Sequence, residues 1–191
     1  MVATRTVRAK PLSAQERRES ILDAAVPLFM TSGADVTTRQ IADAAGIAEG
    51  TIFRVFEDKD AIVDAAVARF MDPTPTLHRL AEIDHSLDLE ATVVAMIDIL
   101  RERIAGVMGI MQAVGMRKHP AHPPRSDGDL ANSVAVSVLR RHESQLGVSP
   151  EEAISLIRAA VFGSTVVPFA GAPTVTTEVL AHLIVNGIGK A

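Results

Sequence analysis

The segment that decides the fold runs from residue 36 to residue 56 and reads VTTRQIADAAGIAEGTIFRVF. Near its start, Thr37 and Gln40 have the spacing of a capping box, in which the threonine hydroxyl accepts from the Gln40 amide and the glutamine side chain reaches back. Residues 38–45 are therefore predicted to form a helix. Gly46 follows, and glycine is the residue best able to adopt the left-handed backbone of a sharp helix end.

The second half of this segment predicts a short second helix from about Ala48 to Phe56. Such a helix buries Ile52, Val55 and Phe56 on one side and leaves its other side to solvent. Two helices joined by a tight glycine turn within about twenty residues form a helix-turn-helix unit.

Outside this unit, apolar residues keep recurring at helical spacing, whereas strand-like alternation is scarce. One helix is predicted at 14–30, where Pro27 is expected to kink the helix or to make its last turns irregular. Another follows the N-cap Asp58 and ends at Met71. Further helical stretches are expected at 76–83, 88–114, 128–146, 150–167 and 174–189. The predicted fold is all-α, with about nine helices.

Composition limits the possible functions. The 191 residues include no cysteine, 48% of them are hydrophobic, and the formal net charge is −4. These values exclude a disulfide framework, a thiolate metal site and a disordered chain. No stretch has the pattern of a membrane span or a signal peptide, so we expect a cytoplasmic protein. Because catalytic-triad spacing and a glycine-rich phosphate loop are both missing, we expect no enzyme and no cofactor. We also expect no metal site, because the paired histidines His119 and His122 lie in a proline-rich loop that gives no fixed geometry.

The first eighteen residues differ from the rest of the chain in charge. They carry five basic side chains and a single acidic one, so a short basic leader precedes an acidic body. Two interpretations stay open. The leader is either a nucleic-acid-binding arm, in which Arg5 and Arg8 contact DNA, or a solubilising, disordered tail.

The residues around the helix-turn-helix unit form a continuous pattern over about 14–62. The pattern comprises Ile21 to Ala25, Leu28, Phe29, Gly33, Thr37, Thr38, Ile41, Ala42, Ala45 to Ile47, Gly50 to Phe53, Phe56 and Lys59. It closely resembles the TetR family of bacterial transcriptional regulators. The resemblance implies a basic flexible arm at 1–12, a helix-turn-helix DNA-binding domain at 13–60, and a helical ligand-binding and dimerisation domain at 61–191.

That resemblance also implies a one-component regulator, a repressor that binds a palindromic operator as a homodimer and is released by a small-molecule ligand. The predicted DNA-binding residues are Arg5, Arg8, Thr38, Arg39, Gln40, Glu49, Gly50, Thr51, Phe53, Arg54 and Lys59. Arg54 has the reach for a guanine edge or a phosphate, and Glu49 can accept from a cytosine amine. The amino end of the helix at 38–45 attracts a phosphate. Lys59 occupies the position of the residue that usually binds a phosphate in the family.

Three positions lack a donor that is common in the family. Ala48 stands where a serine often caps the helix, Phe53 where a tyrosine hydroxyl usually meets a phosphate, and Val55 where histidine is frequent. Each neutral hydrogen bond removed in this way is worth about 0.5–1.5 kcal/mol. These changes motivate an alternative function, a dimeric helical ligand-binding protein without specific DNA binding.

The carboxyl half holds more apolar side chains than amphipathic helices need, and the surplus predicts a dimer interface through the last two helices. The predicted interface residues are Ile154, Ile157, Val161, Val179, Leu180, Leu183 and Ile184. A ligand pocket is predicted around Met96, Leu100, Met108, Met111 and Phe162. Without tyrosine or tryptophan, such a pocket favours an apolar or amphipathic ligand.

Ligand and operator are expected to compete. Dimeric readers need their recognition helices about 34–36 Å apart, one turn of the duplex. A small movement of the connecting helix at 58–71 would spoil that spacing.

Overall fold

The structure of the protein is a computed structural model, which describes residues 12–115, 125–166 and 175–189. Its α-helices are α1 Ala14–Ser32, α2 Thr38–Ala45, α3 Glu49–Ile52, α4 Lys59–Met71, α5 Thr74–Ala81, α6 Leu89–Val114, α7 Arg125–Arg140, α8 Pro150–Val166 and α9 Thr177–Ile188. Short 3-10 turns lie at Gly33–Asp35 and Glu143–Gln145. Within these ranges, strand-type pairing is limited to an isolated bridge between Leu146 and Gly189. The all-α prediction is confirmed.

Helix α1 contains Pro27 and yet continues to Ser32. Its start is fixed by a capping box between Ser13 and Glu16. Beyond the proline, Phe29 is fully buried, so packing of the last turns compensates for the amide that proline lacks. The helix is not interrupted at the proline.

Helix α3 ends earlier than the predicted range of 48–56. After Ile52 the chain tightens, because the amide of Arg54 donates to the Thr51 carbonyl at 3.3 Å and the amide of Val55 donates to the Ile52 carbonyl at 2.9 Å. These three-residue bonds are typical of a 3-10 turn at a helix end. The second helix of the pair is thus a single α-turn followed by a tighter one.

The chain divides into two compact units. The first comprises Met1–Ala66 together with Ala113–Gly115, and the second comprises Val67–Gln112 and Met116–Ala191. The first unit has its own core, whose buried side chains are Ile21, Leu22, Ala25, Phe29, Val36, Ile41, Ala42, Ile52, Phe56, Ile62, Val63 and Ala66. The predicted domain ranges remain predictions.

Gly33 occupies a backbone conformation open to glycine alone, with φ 63° and ψ −146°. A Cβ added there would lie 2.8 Å from the carbonyl oxygen of Ala113 in the same unit. We expect Gly33→Ala to lower the free energy of unfolding by about 1–3 kcal/mol or more, the cost of such backbone strain plus the clash.

Urea unfolding of the purified variant measures this destabilisation. Gly50→Ala is the matched control, because a Cβ at Gly50 meets nothing within 4 Å. It should leave the unfolding midpoint unchanged or slightly raised. Equal midpoints for Gly33→Ala and the unmodified protein would show that the strain at Gly33 is unimportant.

The core of the second unit joins residues from α5 to α9. Its fully buried members include Val93, Met96, Ile97, Leu139, Ile154, Ile157 and Val161. The prediction that Ile154, Ile157 and Val161 form a dimer interface is therefore wrong. Each is 0% exposed in a single chain and has no surface left for a partner.

A polar pair lies in this core. The Thr92 hydroxyl and the Nε2 atom of His142 share a hydrogen bond of 3.1 Å, and both residues are buried. Burial lowers the pKa of His142 below its ordinary value, the positive charge of Arg141 lowers it further, and Asp88 acts weakly in the opposite direction. The folded state therefore favours the neutral imidazole.

Stability should consequently fall as the solution becomes acidic. The unfolded chain protonates this histidine near pH 6.5, whereas the folded chain binds the proton only at lower pH. The contribution of His142 is thus complete above about pH 6.5 and is lost as pH falls toward the lower folded pKa. Urea unfolding at about pH 7.5 and pH 5.5 measures the change. In His142→Gln, whose side chain does not titrate, the difference in the free energy of unfolding between the two pH values should be smaller. An unchanged difference would assign the pH dependence to other groups.

Candidate nucleic-acid interface

The turn between α2 and α3 has the predicted geometry. The Gln40 amide donates to the Thr37 hydroxyl at 3.2 Å, and the Thr37 amide donates to Gln40 Oε1 at 2.8 Å. At the other end of α2, Gly46 is left-handed, with φ 66° and ψ 34°. The Ile47 amide then donates back to the Ala42 carbonyl at 3.0 Å. The predicted bounds of α2 are confirmed.

The capping box also gives Gln40 a structural role. Its oxygen accepts from both the amide and the hydroxyl of Thr37. The side-chain nitrogen takes no part in this cap. Of the two roles predicted for Gln40, the cap is present, and contact with DNA remains a prediction.

One side of the turn that contains α3 faces solvent. We call Glu49, Gly50, Phe53 and Arg54 the reading face, and all four are exposed. Thr51, beside them, is half-buried.

The opposite side of this turn anchors it to the first unit. Ile52 is 0% exposed and Phe56 is 2% exposed, whereas Val55, also predicted to be buried, is half-buried. The reading face therefore belongs to a short element held by two buried side chains.

A side-chain hydrogen bond ties the two helices together across the turn. The hydroxyl of Thr38, at the start of α2, donates to Glu49 Oε1, at the start of α3, at 2.5 Å. Both residues are predicted DNA contacts. The bond fixes their relative position, and the second carboxylate oxygen of Glu49 keeps its capacity to accept.

Lys59 is engaged by the protein itself. Its Nζ donates to the Ala34 carbonyl oxygen at 2.7 Å, and the lysine is partly buried. An ammonium group has three donors, so this bond leaves two for a phosphate. Sequence reasoning missed the contact, because no local pattern links residues 25 positions apart.

A second missed contact involves Arg18. Its guanidinium lies over the ring of Phe56, 4.3 Å from the ring centroid. This cation–π contact attaches a basic residue of α1 to the turn that carries the reading face. Among the basic residues that were predicted to contact DNA, Arg39 is exposed on α2, and Arg5 and Arg8 lie outside the described residues.

In the second unit, α8 and α9 carry large apolar side chains on the surface. We call these the apolar face: Leu156 at 50%, Phe162 at 54%, Val179 at 51% and Leu183 at 63% exposed. Of the predicted interface residues on α9, Val179 and Leu183 belong to this face. Leu180 is 9% exposed and belongs to the core, and Ile184 is half-buried against it.

The predicted ligand-pocket residues are not gathered around one cavity. Met96 and Leu100 belong to the core, whereas Met108 is 43% exposed and Phe162 lies on the apolar face. Met111 is half-buried, and along α6 it lies about 22 Å from Met96 at 1.5 Å per residue.

A different cleft, of about 230 Å³, is present in the second unit. Its lining includes Phe70 and Ile99, with charged residues around them. Arg79 and Glu102 form an ion pair there. Arg103, also in the lining, donates to the carbonyl oxygen of Asp72 at 2.9 Å.

Two kinds of feature are absent from the described ranges. None of the helices in these ranges combines the length and the hydrophobicity that a membrane-spanning segment requires. They also contain no group of three or more histidine, aspartate or glutamate side chains placed to hold a metal ion.

Comparisons with known proteins bear on the first unit most directly. Residues 21–66 match the family described as bacterial regulatory proteins, tetR family. The chain is 37% identical over 89 residues to the transcriptional repressor KstR2 of Rhodococcus jostii, a match that covers 46% of this chain and 43% of KstR2. It is 35% identical over 98 residues to the uncharacterised transcriptional regulator TtgW of Pseudomonas putida, covering 48% of this chain and 68% of TtgW.

The fold extends beyond the matched sequence. The structure of the ketosteroid transcriptional regulator KstR2 of Mycobacterium tuberculosis superposes with a TM-score of 0.55 at 22% identity, over 92% of this chain and 96% of that one. At this identity the likeness concerns the fold alone. In sequence, the chain spans less than half the length of the Rhodococcus KstR2.

Proposed function

The chain belongs to the TetR family of bacterial transcriptional regulators, and from this premise we propose that it is a repressor that binds a palindromic operator as a homodimer and is released by a small-molecule ligand. The observation that carries the proposal is the exposed reading face on an element anchored by two buried side chains. Operator binding would place its site of action in the cytoplasm.

The reading face has the chemistry of direct readout. Arg54 suits a guanine edge or a phosphate, and Glu49 suits a cytosine amine. Gly50 has no side chain to hold the backbone away from the duplex. The bond between Thr38 and Glu49 fixes the carboxylate before DNA arrives, which reduces the ordering cost of binding.

Selection from a randomised duplex library tests this proposal. The purified chain should enrich an inverted repeat, since two subunits related by a twofold axis read two half-sites. Recovery of sequences without any shared motif would favour the alternative, a dimeric ligand-binding protein without specific DNA binding.

The proposed dimer uses the apolar face of α8 and α9. Four large apolar side chains, each at least half exposed, lie on two helices that are adjacent in the chain. Ala159 and Gly163 are exposed on α8 as well, and such small residues let a second helix approach closely. Pairing this face with its copy would bury an apolar surface that a monomer leaves in water.

The effector is proposed to be an apolar or amphipathic small molecule that binds the second unit. The cleft beside Phe70 and Ile99 supports this class, because it combines apolar lining with the guanidinium groups of Arg79 and Arg103. Such a ligand must bind the released state more tightly than the operator-bound state. Operator must then weaken ligand binding by the same factor.

The basic leader is proposed to add phosphate or minor-groove contacts. Deleting residues 1–10 should lower operator affinity and flatten the dependence of log affinity on log salt by up to about 0.9 for each phosphate that the leader neutralises. Filter binding or fluorescence anisotropy across a salt series measures both. If affinity and slope are unchanged, the leader is a solubilising tail.

A further inference from the structure

The phenylalanines of the first unit differ sharply in exposure. Phe29 and Phe56 are 0% and 2% exposed and belong to the core, whereas Phe53 is 51% exposed. A half-exposed phenyl ring contributes less to folding than a buried one and leaves apolar surface in water. Its place on the reading face points to a role in the complex with DNA.

The backbone aims this ring outward. Phe53 is the C-cap of α3, with φ −69° and ψ −5°, directly after the fully buried Ile52. Glu49 lies four residues earlier, so the two side chains stand one above the other on the same side of the turn. Between them Gly50 presents no side chain, and a Cβ built there meets nothing within 4 Å.

The chemistry of the ring then restricts what it can recognise. A phenyl group has no hydrogen-bond donor for a phosphate and none for the polar base edges. The major groove offers one apolar group, the C5-methyl of thymine, and phenylalanine is one of the side chains that contact it. Gly50 leaves room for the ring to approach the groove floor.

We propose that Phe53 determines operator specificity by contacting a thymine methyl group in each half-site, close to the base pair read by Glu49. This inference rests on the proposed operator binding. A tyrosine hydroxyl at this position would contact a phosphate, which carries no sequence information. The phenyl ring of Phe53 would instead contact a base, which does carry sequence information.

The test uses the inverted repeat selected by the full chain. Deoxyuridine replaces one thymine at a time in both half-sites, which removes only the C5-methyl group and keeps base pairing. At one position, affinity should fall roughly fourfold per half-site, the ratio expected for one buried methyl group. Phe53→Ala should bind the thymine and uracil duplexes equally, and Phe53→Leu should still prefer thymine. Thermal melting should differ only slightly among the three proteins, because about half of the ring already lies in solvent.

The outcomes are distinguishable. A specific repeat that tolerates uracil at every position would overturn this inference and leave the proposed function standing. A thymine preference that persists in Phe53→Ala would also overturn it, because another group, such as the Thr51 methyl, would then be responsible. If no repeat is selected, the proposed function and this inference fall together.

Discussion

If the proposed dimer and operator binding are right, Leu183→Asp should give a monomer that has lost most of its operator affinity. Leu183 is 63% exposed in the single chain, so the substitution leaves the folded monomer intact. In a twofold interface it would place two unpaired carboxylates in a desolvated surface, at a cost of several kcal/mol. A monomer also loses the bivalency that links two half-sites, which is worth about 10²–10⁴ in affinity.

Sedimentation velocity and operator binding measure the two consequences. Met108→Asp is the matched control, because Met108 is also a large, exposed apolar residue, at 43%, but lies on α6 outside the apolar face. It should remain dimeric. A Leu183→Asp protein that stays dimeric, or an unmodified protein that is monomeric at micromolar concentration, would contradict the proposed interface.

Arg54→Ala is expected to lower operator affinity by about 1–3 kcal/mol, or roughly 5- to 150-fold. Arg54 is an exposed cation on the reading face, and its removal leaves the anchoring residues Ile52 and Phe56 in place. Arg140→Ala is a suitable control, because Arg140 is also exposed but lies in the second unit, paired with Glu151 at 3.0 Å. Anisotropy titrations of both variants against the selected repeat measure the difference.

The identity of the replacement separates the two possible contacts of Arg54. Lysine keeps a phosphate contact but loses the bidentate geometry that suits guanine. Arg54→Lys should therefore resemble the alanine variant if Arg54 reads a base, and the unmodified protein if it binds phosphate. Normal affinity in Arg54→Ala would remove this residue from the interface.

The first unit was the more predictable part of the chain, because local signals specify it. The capping residues Thr37 and Gln40 and the left-handed Gly46 fix α2 through neighbours within a few residues. The contacts of Lys59 with Ala34 and of Arg18 with Phe56 have no such signal. They depend on how helices pack, which a sequence pattern does not encode.

The apolar face shows where periodicity becomes ambiguous. On α8, the predicted set of Ile154, Ile157 and Val161 follows helical spacing, and the exposed Leu156 and Phe162 are large apolar residues on the same helix. The helix is apolar on more than one side, so the pattern cannot choose which side is the core. Packing into the core that α8 shares with α7 decides it, and the surface left over is the one available to a partner.

Specific operator binding is tested most directly by a salt-dependent comparison of two duplexes. The affinity of the full chain is measured for the selected inverted repeat and for a scrambled duplex of the same composition. We expect a preference of about a thousandfold or more at physiological salt, with a steep fall of log affinity against log salt for both. Equal affinities for the two duplexes would contradict specific operator binding and favour a helical ligand-binding protein that does not read DNA.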